Sequence, residues 1–279
     1  MTNKIEPPFH FFIHIPKTAG TTLRSIVDLQ YGRKNVLTYY NQNSSQLIDN
    51  LNDLLIVHPY YQALIGHFSY GLHSSITRKS RYVTFLRNPK ALSISTYNER
   101  LKTQRGEFTQ PDGSLLSIRE HILKFPQHYT NPQADYIVGK NNAPKRSSSI
   151  YENAVSVMEE QYAFCGTVEK FRESILLLSR VLNWAPCVFG HLNRGNKDLP
   201  IDEATSKLID ELTSEDLKLH AYVSEKIKSQ MEEFGGIFQK SLAELNDSLA
   251  IFSQQIAINS ALAEFPETKM TAVQEFIEF

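Results

Sequence analysis

Three groups of residues in this 279-residue chain have the types and spacing to hold a multiply charged anion and to move a group along it. The first is the run Lys17, Thr18, Ala19, Gly20, Thr21 and Thr22, which puts a cation, hydroxyl donors and a glycine that admits close backbone approach into one short loop. The second is Arg87 with Ser95 eight positions further on, a guanidinium fork suited to phosphate and a hydroxyl about two helical turns away. The third is His67, whose imidazole titrates near neutrality and can take a proton from an alcohol. His73 is a second, less well placed histidine in the same region.

These groups need rigid elements to aim them. Phe9, Phe11, Phe12, Ile13 and Ile15 form an aromatic and β-branched run that reads as a strand covered on both faces, and Pro16 ends it. Leu23, Ile26, Val27 and Tyr31 then recur at helical spacing, so the Lys17–Thr22 loop opens onto a helix N-terminus whose free amides favour an anion. His14, within the first strand, reads as a packed histidine. The segment RYVTFLRNPKALSISTYNE repeats the design: Tyr82–Leu86 is a short apolar strand, Pro89 suits a first helical position, and Arg87 falls at the strand's carboxyl end. Ala63–His67 (ALIGH) is a further apolar run that places His67 at another carboxyl end.

The lysine precedes the glycine, so PKTAGTT is not the Walker A order GxxxxGK[ST]. It resembles the 5′-phosphosulfate loop of sulfotransferases that use 3′-phosphoadenosine 5′-phosphosulfate (PAPS), and HIPKTAGTTL is most similar to the branch containing the carbohydrate 2-O- and 4-O-sulfotransferases and their bacterial relatives. RNPKALSIS resembles that family's 3′-phosphate segment, GTVEKFRESILLL its GxxExFxxSLxLL block, and NPQADYIVG a segment with Asn-x-Gln and a later Gly. The resemblance runs over about residues 9–235. It implies an α/β fold of three layers, P-loop-like, with a central parallel sheet flanked by helices and a helical C-terminal extension. It further implies transfer of a sulfuryl group from PAPS to an acceptor hydroxyl on a carbohydrate, glycolipid or secondary metabolite, with PAP as product and no metal. On that reading Lys17 is catalytic and, with Thr18, Ala19, Gly20, Thr21 and Thr22, holds the phosphosulfate. Arg87 and Ser95 hold the 3′-phosphate, and His67 is the general base. Arg194 and Gly195, in the polar turn HLNRGNK, match a family loop that closes over the cofactor.

The bulk properties set the frame. No run approaches the ~18 apolar residues of a membrane span, and no basic and hydrophobic signal segment opens the chain, so the expected setting is cytoplasmic. Cys165 and Cys187 are too few for a disulfide framework or metal site and read as buried thiols. Residues 1–150 hold 18 Lys+Arg against 9 Asp+Glu, a balance of +9, and residues 151–279 hold 11 against 21, a balance of −10. The basic half carries both phosphate motifs, a field that attracts a charged nucleotide. The charge is dispersed and accompanies no recognised motif, which argues against nucleic acid.

The domain reading is 1–236 for the core, with 102–149 an acceptor-binding insertion, and 237–279 for the helical extension. Helices are expected over Ser44–Val57, around Leu115–Lys124, over Val168–Trp184 and Thr213–Met231, and through Ser241–Phe279, with Tyr162–Thr167 an inner strand. Two rivals stay open. A nucleotide-dependent phosphotransferase would use a similar cradle with Mg²⁺, and a non-catalytic PAP-binding module would need Lys17, Arg87 and Ser95 but not His67. Oligomeric state is open.

Overall fold

Phe9, Phe11, Phe12 and Ile13 are wholly buried, and their run forms β1 (Phe9–Ile13), the middle strand of the sheet. The computed structural model describes residues 7–40, 45–139, 149–185, 188–190 and 200–263. β1 pairs in parallel with β3 (Ala63–Gly66) on one side and with β4 (Ser80–Leu86) on the other. β2 (Val36–Tyr39) and β5 (Tyr162–Thr167) complete a five-stranded parallel sheet of order β2-β3-β1-β4-β5. Helices flank it: α1 (Gly20–Tyr31), α2 (Ser45–Asp49), α3 (Leu51–Val57), α4 (Pro89–Thr103), α5 (Ile118–Lys124), α6 (Pro132–Val138), α7 (Ile150–Gln161), α8 (Phe171–Val181), α9 (Glu203–Leu212) and α10 (Ser214–Ala263). Every residue of β1 and β3 is buried, so neither strand shows apolar and polar alternation. This is the α/β layering with a central parallel sheet expected from the sequence.

The chain order makes the site. After β3 the chain crosses over β1 to reach β4, so the direction of winding reverses between β1 and β4. The loops leaving two such neighbouring strands diverge and open a crevice at the carboxyl edge. The loop holding Lys17 and the turn holding Arg87 leave these two strands.

Several elements differ from expectation. The helix expected over Ser44–Val57 is interrupted at Asn50, whose φ of −108° and ψ of 14° are not helical, giving α2 and α3. β5 is an edge strand rather than an inner one; it reads as inner because α8 and α10 cover it and bury Tyr162 and Phe164. Between residues 103 and 139 the helical stretch expected around Leu115–Lys124 is present, and it packs into a core of its own. A Ser117/Glu120 capping box starts α5, and Ile94, Tyr97, Phe108, Ile118, Ile122, Tyr129 and α9's Ile209 close a second small core. α10 bends at Gly235, which takes φ 53° and ψ −133°, and beyond the bend Phe238, Leu245 and Leu249 rejoin the main core. Cys165 is half-buried, not fully buried, and its surroundings push the thiol well up from its ordinary range; Cys187 lies outside the described residues. Among the described residues no helix is long and apolar enough to cross a membrane.

Candidate functional site

The loop after β1 is built by backbone conformation. Lys17 and Ala19 both take positive φ, 69° and 62°, which side-chain-bearing residues rarely adopt. Thr18 between them is buried and anchors the turn, donating its hydroxyl to the Ile15 carbonyl at 2.8 Å. Left-handed residues in a tight turn can bring successive N–H groups toward a common point. Ala19 is the N-cap of α1 and no side chain caps that helix, so the amides of Gly20, Thr21 and Thr22 open the first turn at its positive end. Gly20 is required by packing. A Cβ there would stand 1.9 Å from the His14 imidazole, which lies against the loop.

Arg87 follows β4 directly, and its Nη1 donates to the Lys17 carbonyl at 3.1 Å. The two segments that were read separately in the sequence are therefore one unit. Arg87 is itself held by its main chain. Its N–H donates to Gln133 Oε1 at 2.8 Å, and Gln133 Nε2 donates to its carbonyl at 2.9 Å. The next N–H, of Asn88, donates to Glu169 Oε1 at 2.7 Å, and the other oxygen of Glu169 meets His220 at 2.9 Å. Burial works to raise the Glu169 carboxyl, but His220 and the Asn88 N–H outweigh it and hold the group below its usual range. Asn88 caps α4 by accepting from the N–H groups of Lys90 and Ala91, with Pro89 at the first position. Ser95 lies two turns into α4, half-buried.

Gln133 is fixed in turn. Asp216, at the start of α10, accepts from the N–H groups of Gln133 and Ala134 at 3.0 and 2.8 Å, and Asn131 Oδ1 accepts from the N–H groups of Glu215 and Asp216 at 3.1 and 3.2 Å. The N-termini of α6 and α10 thus cap each other. Burial pushes the Asp216 carboxyl up to about 6, against the pull of the Gln133 and Ala134 amides. Gln133, Glu169 and Asp216 are supporting residues that motif reading did not assign. The signal for Gln133 and Glu169 was present in NPQADYIVG and GTVEKF, but only the fold shows that both segments grip the Arg87 turn.

His67 leaves β3 with its N–H donated to the Tyr39 carbonyl at 2.8 Å. Its ring contacts His14, centroids 4.6 Å apart, and Tyr40, 4.9 Å, and the residue as a whole is exposed. Burial lowers the pKa of His67, and it holds His14 down to about 3, where His67 and Lys17 add to the effect. Both rings are neutral at pH 7. Tyr40 shares a 3.3 Å hydrogen bond with His14, and burial pushes its hydroxyl up to about 12. His73 instead packs on Tyr70 and Tyr82.

Lys17 Nζ pairs with Glu99 on α4 at 3.1 Å, both groups being partly exposed. The pair lines a cleft of ≈310 Å³ formed by Ile15, Pro16, Thr96, Arg100, His128, Pro132 and Tyr136 as well. A larger cavity of ≈570 Å³ lies between α8 and α10, and its wall contains no residue of the three loops. Arg194 and Gly195 lie outside the described residues.

No protein-family model and no curated protein sequence matches the chain. Among solved structures it is similar to a sulfotransferase from Alicyclobacillus acidocaldarius, at 11% identity and a TM-score of 0.43 over 78% of this chain and 96% of that one. It is also similar to mouse sulfotransferase SULT7A1 complexed with PAP, at 12% identity and a TM-score of 0.36 over 74% of this chain and 63% of that one.

Proposed function

We propose that this protein is a PAPS-dependent sulfotransferase that moves a sulfuryl group to an acceptor hydroxyl. The observation that carries the reading is the joining of the PKTAGTT loop to the Arg87 turn at adjacent strand ends, through the Arg87 guanidinium and the Lys17 carbonyl. One anion-binding loop would suit many nucleotides. A second fixed cation beside it suits a nucleotide with a second phosphate away from the transfer centre.

The division of labour follows from charge. The first-turn amides of α1, with Thr18, Ala19, Gly20, Thr21 and Thr22, hold the 5′-phosphosulfate. Arg87 and Ser95 hold the 3′-phosphate, Arg87 by the bidentate geometry guanidinium favours. Lys17 meets the negative charge that grows on the leaving oxygen, where a positioned cation contributes most. His67, neutral at working pH, takes the proton of the acceptor hydroxyl. PAPS would supply the activated sulfuryl group. Arg194 and Gly195 belong to the same proposal as a loop over the cofactor, acting in the cytoplasm where the donor is made.

Calorimetric titration with PAP, ADP and ATP plus Mg²⁺ tests this reading. Metal-independent preference for PAP is the expected result; preference for ATP with Mg²⁺ would replace it with a phosphotransferase.

A further inference from the structure

The cleft beside Lys17 is placed where a second substrate would meet the group being transferred. Its floor is the loop itself, Pro16 and Lys17, and its sides come from α4 (Thr96, Glu99, Arg100) and α6 (Pro132, Tyr136). The two prolines, Ile15 and Tyr136 give flat apolar faces, which suit one ring of a substrate. The polar groups sit on α4 and at His128.

The charges of the cleft are not equally committed. Arg100 is engaged twice, by Glu107 at 2.7 Å and by His128 at 2.9 Å. Glu99 is held by Lys17. An exposed pair of this kind favours the closed arrangement by no more than roughly five-fold. A phosphate or phosphosulfate on the neighbouring amides carries more charge than one carboxylate and competes for the same ammonium.

We propose that the cleft is the acceptor subsite and that donor binding draws Lys17 from Glu99, leaving the Glu99 carboxylate to accept a hydrogen bond from a second hydroxyl of the acceptor, distinct from the one that His67 deprotonates. The inference rests on the sulfotransferase reading and extends it in two ways. Binding is ordered, donor before acceptor, because the acceptor's partner is masked until Lys17 moves. The acceptor is a neutral or cationic hydroxylated ring rather than an anionic one. With Arg100 matched by Glu107, the freed Glu99 leaves the cleft with a negative balance.

Zero-length carbodiimide coupling of the full chain tests this without a known acceptor. In the ligand-free protein it should join Lys17 to Glu99, detected as a cross-linked peptide by mass spectrometry. With saturating PAP that cross-link should fall at least five-fold, and added glycine methyl ester should label Glu99 instead. Taurine, an anionic amine, should label it several-fold less. Persistence of the cross-link in protein shown by calorimetry to hold PAP would overturn the unmasking, and equal labelling by taurine would overturn the charge preference. Absence of PAP binding in that calorimetry would instead sink the sulfotransferase reading itself, and this inference with it.

Discussion

The side-chain amide of Gln133 satisfies both main-chain groups of Arg87, accepting from its N–H at 2.8 Å and donating to its carbonyl at 2.9 Å. This makes α6 a clamp on the residue proposed to read the 3′-phosphate. Gln133 is completely buried. Replacing it by Leu strands two backbone groups, at a cost of roughly 2–4 kcal/mol. Urea unfolding measures that loss. The functional signature is separate: the PAP-to-ADP affinity ratio of Gln133→Leu should fall several-fold, because ADP does not use Arg87. A variant that loses stability and keeps its ratio would reduce Gln133 to a structural role.

Gly20 and His14 form a second testable pair. Gly20→Ala drives a Cβ into the His14 ring, which Tyr40 and His67 keep from moving aside. PAP affinity should drop by about 10-fold or more, since the anion-binding amides begin at this residue. His14→Ala in the same chain removes the obstruction, so the double variant should bind PAP better than Gly20→Ala alone. Additive losses would contradict the packing account.

Buried titratable groups give the stability a definite pH dependence. His10 is held down to about 4 and His14 to about 3, both chiefly by burial. The unfolded chain therefore takes up protons first, and the stability these residues contribute above about pH 6.5 is lost as the pH falls toward 4. Asp216 acts in the opposite sense. Its carboxyl, raised to about 6, contributes stability that is complete below its unfolded value near 4 and is lost as the pH rises through 6. Asp216→Asn should therefore lose more stability than the wild type between pH 7 and pH 5, measured by urea midpoints. Parallel curves would show that Asp216 does not titrate in this window.

Lys17 and His67 are separable by kinetics. Lys17→Ala should lower PAP release from PAPS by ~100-fold or more, the scale of losing a group that stabilises developing charge. His67→Gln should also remove the acid limb of the pH–rate profile. In the wild type that limb falls below the ordinary histidine value, since burial lowers the pKa and only the neutral ring can accept a proton. An unchanged limb in His67→Gln would assign the proton to another group.

Much of this site was legible because its parts are local. A strand, a loop and a helix N-terminus occupy consecutive residues at Phe9–Tyr31, and the apolar spacing alone predicts that order. The carboxyl-edge positions of Arg87 and His67 follow from the same logic. What was not legible depends on contacts between distant segments. Gln133 and Glu169 meet the Arg87 turn across separations of 46 and 81 residues, Asp216 holds Gln133 across 83, and nothing in local periodicity links them. β5 reads as inner because burial by helices and burial by strands leave the same apolar run. The second core around Phe108 and Ile122 was hidden for a different reason. It is assembled from several short stretches, with Tyr97 on α4, Ile122 on α5 and Ile209 on α9, and none of these stretches shows alone which residues it packs against.

The most direct measurement compares PAP with ADP by calorimetry in the wild type and in Arg87→Ala. The account predicts that wild type prefers PAP by ~10- to 100-fold without metal, the range for a charged hydrogen-bonded contact, and that Arg87→Ala binds the two nearly equally through loss of PAP affinity alone. Equal wild-type affinities, or a preference that survives Arg87→Ala, would contradict the assignment of the 3′-phosphate site and with it the proposed donor.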